Sequence, residues 1–143
     1  MLINNELIGN IAQLDLAQNA GIDEDGRVHL SHWARQWRLA RNAWDQQGGT
    51  ALTLLGGDAA RKVQNAYHAL DAAELLLEAA REGVIALRGA DLSAPENADA
   101  VAQLATTDAE SREKLGVQLR ALFEAEKAVT QALPSRRRLA RGA

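Results

Sequence analysis

The chain has no cysteine, two prolines, and only one tyrosine, one phenylalanine and three tryptophans in 143 residues. Without a thiol there is no disulfide, no thiolate nucleophile and no Cys-ligated zinc. So few aromatics and prolines argue against a sheet protein, whose strands favour aromatic and β-branched side chains. No apolar run approaches the about 18 residues of a membrane span. The opening MLINNELIGN lacks the basic and apolar regions of a secretion signal, so a cytoplasmic chain without membrane contact is expected. The glycine pairs Gly48-Gly49 and Gly56-Gly57 belong to neither the P-loop nor the dinucleotide-binding glycine pattern, so no phosphate cradle is expected.

What is abundant is alanine, leucine, glutamate and arginine, the composition of an all-α protein. The length suits one domain with a core of its own. The clearest pattern is residues 58–88. With Val63 at heptad position a, the a positions are Val63, Leu70, Leu77 and Val84, and the d positions are Ala66, Ala73, Ala80 and Leu87. Large residues alternating with methyl groups let a neighbouring helix approach closely, so a long central helix packed along most of its length is expected. Leu75, Leu76 and Leu77 in succession widen its apolar surface and imply neighbours on more than one side. Its polar positions, among them His68 and Asp71, lack the Glu-x-x-His of a helical di-iron site.

Around it, about five helices are expected. Ile3, Leu7, Ile11 and Leu14 make one stripe of a first helix over 4–19, closed by Gly21. Ser31 is placed to cap a second helix over 32–47, stopped by Gly48-Gly49. On that helix Trp33, Trp37 and Trp44 would share one face, either docked on the alanine seam or offered to a partner. Ser93-Ala94-Pro95-Glu96 opens a helix over 94–105, and the second capping box, Thr107-Asp108-Ala109-Glu110, opens another that ends at Leu133 before Pro134. The stripe of that last helix includes Phe123 and, unexpectedly for an acid, Glu126. The domain is thus 1–134, followed by a basic, mobile tail at 135–143.

The loop GIDEDGRVHLSH at 21–32 resembles an EF-hand calcium loop, with Asp23 and Asp25 at ligand positions, Gly26 at the turn and Val28 at the apolar position. It departs from the family at both ends, where Gly21 and His32 replace the first Asp and the bidentate Glu. The resemblance implies a degenerate divalent-ion module at most. No nucleophile–base group, metal-ligand cluster or cofactor motif is legible, so a non-catalytic protein without cofactor is expected.

Charge adds one asymmetry. Arg136, Arg137, Arg138 and Arg141 lie in the tail, leaving 12 basic against 19 acidic residues in the body. The expected function is binding of another protein or of a second copy, as an adaptor or chaperone, a small regulator, or a subunit of a larger assembly. The candidate contact residues are Trp33, Trp37, Trp44, Leu75, Leu76, Arg136, Arg137 and Arg138. Nucleic acid held by the arginine tail and the basic second helix is the alternative.

Overall fold

A computed structural model describes the backbone of residues 2–87 and 89–142 and the side chains up to residue 132, apart from residues 1 and 88. In order come α1 (Leu2–Asn19), a 3-10 turn (Leu30–Ala34), α2 (Asn42–Leu55), α3 (Gly57–Ile85), a second 3-10 turn (Pro95–Asn97) and α4 (Ala98–Gly142). The fold is all-α and a single domain, with four α-helices and no strand among the described residues.

The seam read from the sequence is the centre of the core. Val63, Ala66, Leu70, Ala73, Leu77 and Ala80 are all buried, joined by Tyr67. They are covered from within the chain by α4, which presents Leu115, Leu119, Leu122, Ala125 and Val129. The two helices are antiparallel: Lys62 approaches Glu124 at one end, and Leu104 lies against Gly83 at the other. Each buried leucine or valine contributes roughly 1.5–3 kcal/mol, and the alanines between them allow the close approach that buries the larger neighbours. The stripe of α1 seats Ile3, Leu7 and Leu14 against α4. On α4 the buried row passes through Ala125 and Val129, so Glu126 lies half-buried at its edge, accepting a hydrogen bond from Thr130 at 2.9 Å. Phe123, expected in the stripe, is half exposed.

The second helix differs from the sequence expectation. Residues 30–34 form a 3-10 turn, 35–41 form no regular element, and α2 begins only at Asn42. The reason lies on α1. The Asn10 amide pairs with the backbone of Ala40 on both sides, donating to its carbonyl and accepting from its N–H, each at 2.7 Å. The Glu6 carboxylate then accepts from the N–H groups of Ala43 (2.8 Å) and Trp44 (3.2 Å), two of the free donors of the first turn of α2. Arg41, the residue at the cap position, supplies no side-chain cap of its own. A helix start set from another element leaves no mark in the local sequence.

Gly48 and Gly49 lie inside α2 rather than at its end. A Cβ at Gly48 would meet the Trp44 ring at 3.0 Å, so this glycine serves a close approach. The helix stops instead at Gly56-Gly57, where φ is +62° and +49°, a turn that glycine adopts without steric cost.

The expected break at 106–107 is also absent, which takes the count from about five helices to four. Asp108, read as part of a capping box, is buried and receives hydrogen bonds from Trp33 and Arg112 instead. Thr106 donates back to the Ala102 carbonyl at 3.2 Å within the unbroken helix. At 93–97 only a 3-10 turn forms. Ser93 bonds the Asp91 carboxylate, and α4 starts at Ala98.

Tyr67 completes the Glu6 site, its hydroxyl donating to the carboxylate at 2.6 Å. Glu6→Ala leaves three donors without their acceptor, and a loss of about 2–4 kcal/mol in urea unfolding is expected. Tyr67→Phe alone should cost less, and the two losses should fall short of adding in the double variant, because one carboxylate serves both.

Candidate partner-binding surface

The α3 helix has a second repeat on the side away from the core. Arg61, His68, Leu75 and Glu82 recur every seven residues, and Asn65, Ala72, Ala79 and Ala86 recur every seven between them. All eight are exposed. Leu75 is 70% exposed, more than any other large apolar side chain among the described residues. The three consecutive leucines therefore divide their roles. Leu77 is core, Leu76 is half-buried against it, and Leu75 stands in solvent. Leu75 and Leu76 border a furrow of about 470 Å³ between α3 and α4, with Ala80 and Ser111 buried at its base, Ala72 and Ala79 along it, and Glu110 and Lys114 on the α4 side. Gln118 lines the same furrow, and its side-chain oxygen is buried with no donor among the described residues.

The tryptophans do not share a face. Trp33 is buried in the core, with its indole N–H donating to Asp108 at 2.8 Å, and a partner cannot reach it. Trp44 stacks on Tyr67, with ring centroids 4.4 Å apart and planes at 12°. Trp37 lies half-buried on the segment 35–41 under the guanidinium of Arg35, 4.5 Å from the ring centroid. Its indole nitrogen is buried with no acceptor among the described residues. Trp37 and Leu39 turn inward while Gln36, Arg38 and Ala40 turn outward, the alternation of an extended chain rather than a helical stripe.

Arg112 ties the buried end of the bundle together. It meets both Asp108 oxygens at 3.0 Å and donates to the Gln18 carbonyl at the end of α1 at 2.6 Å. Gln18 returns a bond to the Arg112 carbonyl at 3.2 Å. His32 closes the group. Its Nδ1 lies 3.0 Å from the His29 carbonyl, which can only accept, so Nδ1 carries the proton and Nε2 faces Arg112 at 3.4 Å. Burial pushes the His32 pKa below the ordinary imidazole value, with the Arg112 charge adding to the effect and the His29 carbonyl opposing it. The ionisable groups here satisfy one another, which is the behaviour of a structural clamp.

The loop at 21–32 is tied to itself. Asp23 Oδ1 accepts from the N–H groups of Asp25 (3.0 Å) and Arg27 (2.8 Å), and its other oxygen meets His29 at 3.1 Å. The bonds from the loop backbone, that of Arg27 first, hold the Asp23 carboxyl below its usual range. Ile22 and Val28 form an isolated bridge across the loop. Among the described residues no three acidic, histidine or cysteine side chains converge as a metal site would need. Of the basic residues around the expected second helix, Arg41 pairs with Asp71 and Arg35 covers Trp37, while Arg38 is exposed. The side chains of Arg136, Arg137 and Arg138 lie outside the described residues, while the backbone of α4 continues past Leu133, where the sequence led us to expect its end, through Pro134 to Gly142. Among the described residues, no helix is long and apolar enough to cross a membrane.

Sequence reasoning assigned Leu75 and Leu76 to the surface but missed the row they belong to. The signal was the spacing of Ala72, Ala79 and Ala86, a second seven-residue count that overlaps the stronger inner one. Compared with family models, curated proteins and solved structures, the chain gives no match.

His32 sets a pH dependence of known sign. Its pKa is lower folded than unfolded, so the unfolded chain binds more protons as pH falls below about 6.5. Stability from this group is complete above that value and declines below it. Comparing wild type with His32→Asn, which cannot titrate there, the wild type is expected to lose more stability between pH 7 and pH 5, read by urea unfolding at each pH.

Proposed function

We propose that this is a non-catalytic helical protein that works by binding protein, as a small regulator, an adaptor or a subunit of an assembly, in the cytoplasm. One observation carries the reading: the outward face of α3, where Leu75 is 70% exposed beside a furrow lined by small residues and bordered by Leu76. A single exposed leucine is ordinary on a protein surface. Here it sits midway along a helix of 29 residues whose opposite face is buried in the core from Val63 to Ala80, next to an open trough between α3 and α4. Helix-in-groove recognition relies on such a ridge and trough, with anchors at helical spacing. The buried and half-buried ionisable groups Glu6, Asp108 and Arg112, by contrast, hold elements of the fold to one another, which supports a binding role over a catalytic one.

Leu75→Glu tests the reading without disturbing the core, since most of the side chain is in solvent. Helical content and urea midpoint should stay at wild-type values. In quantitative cross-linking and capture from the native cell, chains recovered with the wild type should fall by at least about tenfold, as for loss of a central anchor. Equal recovery by the two forms would remove this face from the function.

A further inference from the structure

The outer row of α3 has a property that a docking face for an unrelated partner would not need. It is complementary to itself when reversed. Place two copies of α3 antiparallel, with the two-fold axis level with the midpoint between residues 73 and 74. Leu75 of each copy then faces Ala72 of the other, His68 faces Ala79, and Arg61 faces Ala86. Each of these layers sets a large side chain against a methyl group, the condition for close packing of helices. The remaining layer sets Asn65 against Glu82, a donor amide against a carboxylate.

The charges at the two ends of the row suit the same arrangement. Along it the basic group at the start is Arg61, which also pairs with Asp58 one turn before it, and the acidic group at the end is Glu82; of the acids exposed beside the row, Asp71 is paired with Arg41 and Glu78 stands in solvent. Antiparallel pairing brings each Arg61 within a helical turn of the Glu82 of the other copy, at both ends of the contact. Parallel pairing would set Arg61 against Arg61 and Glu82 against Glu82, and would stack leucine on leucine with alanine on alanine, leaving alternating crowded and empty layers. The row spans residues 61–86, about 38 Å of helix, long enough for many successive layers. A two-fold contact of this kind uses one patch twice and closes on itself.

We propose that the occupant of this face is a second copy of the same chain, joined as an antiparallel α3–α3 dimer with Leu75 and Ala72 at its centre. The inference rests on the reading of this face as a protein-docking surface and names its partner. The furrow beside Leu76 lies along the margin of the contact, so the two α4 helices flank the pair.

The full-length chain is examined by sedimentation equilibrium from about 1 to about 300 µM, a range that brackets a weak to moderate dimer. The mass is expected to rise from one chain to two. Leu75→Glu should shift the midpoint of that rise at least tenfold to higher concentration, with unchanged circular dichroism. Because the chain has no cysteine, register can be read separately from affinity. Under mild oxidation, a mixture of His68→Cys and Ala79→Cys should form disulfide-linked dimers, and neither variant should do so alone, since like positions are eleven residues out of step. A wild type that keeps the mass of one chain throughout overturns the proposal, as does a dimer indifferent to Leu75→Glu or cross-linking by Ala79→Cys alone. If that monomer still captures other chains in a Leu75-dependent way, only the identity of the partner is overturned. If capture is also independent of Leu75, the docking reading falls with it.

Discussion

A carboxylate and an amide on the first helix govern how the middle of this chain is laid down. Glu6 and Asn10 are one helical turn apart, and they hold Ala40, Ala43 and Trp44 by bonds to backbone and not to side chains. Asn10 holds Ala40, and Glu6 starts α2 three residues later. With that junction set, Trp44 is delivered onto Tyr67, whose hydroxyl returns to the same Glu6. Burial, and the Glu6 carboxylate beside it, keep the Tyr67 phenol protonated well above its ordinary range. Three elements distant in sequence are joined through one side chain, so the placement of residues 35–55 depends on α1 as much as on their own preferences.

A second polar centre does the same work at the other end of α1. Asp108 and Arg112, one turn apart on α4, take the Trp33 indole, the last turn of α1 and the His32 ring together. Burying a charged pair is costly unless every donor and acceptor is met, and here the backbone carbonyl of Gln18 and the indole N–H complete the set. Such a pair adds less to net stability than to uniqueness. These directional bonds fix the register of α4 against α1 and the Trp33 turn.

The α3 helix shows how one sequence can bear two alanine-and-leucine rows with different fates. The inner row is filled by α4, which answers within the chain the demand the heptad made. The outer row is left with Leu75 in solvent, small residues either side and opposite charges at its ends. Binding through this face asks for no rearrangement of the core, because the two rows lie on opposite sides of the helix. The tryptophans, by contrast, are used for cohesion. Trp33 anchors the 3-10 turn and Trp44 the start of α2.

The sequence by itself determined that the chain is all-α, that α1 and α3 exist close to their true limits, and that Val63, Ala66, Leu70, Ala73, Leu77 and Ala80 face inward, though not that Tyr67 joins them or that Val84 and Leu87 are only half-buried. Those features follow from apolar periodicity, which acts over a few turns and needs no distant partner. The wide leucine band was legible too, with Leu75 and Leu76 both outside the seam; only the structure separated exposed Leu75 from half-buried Leu76. Only the tertiary structure decided where α2 starts, why Gly48 sits inside a helix, and that α4 runs unbroken past Thr107. At the start of α2 and in α4 a remote side chain overrides the local signal, and at Gly48 the ring is that of Trp44, one turn back in the same helix. Glu6 supplies a cap absent from residues 35–41, the Trp44 ring takes the space a Cβ would fill at Gly48, and the Trp33 indole claims the carboxylate that looked like a cap at Asp108. Local pattern reports what a segment prefers; where its backbone donors find acceptors is settled only when the helices meet.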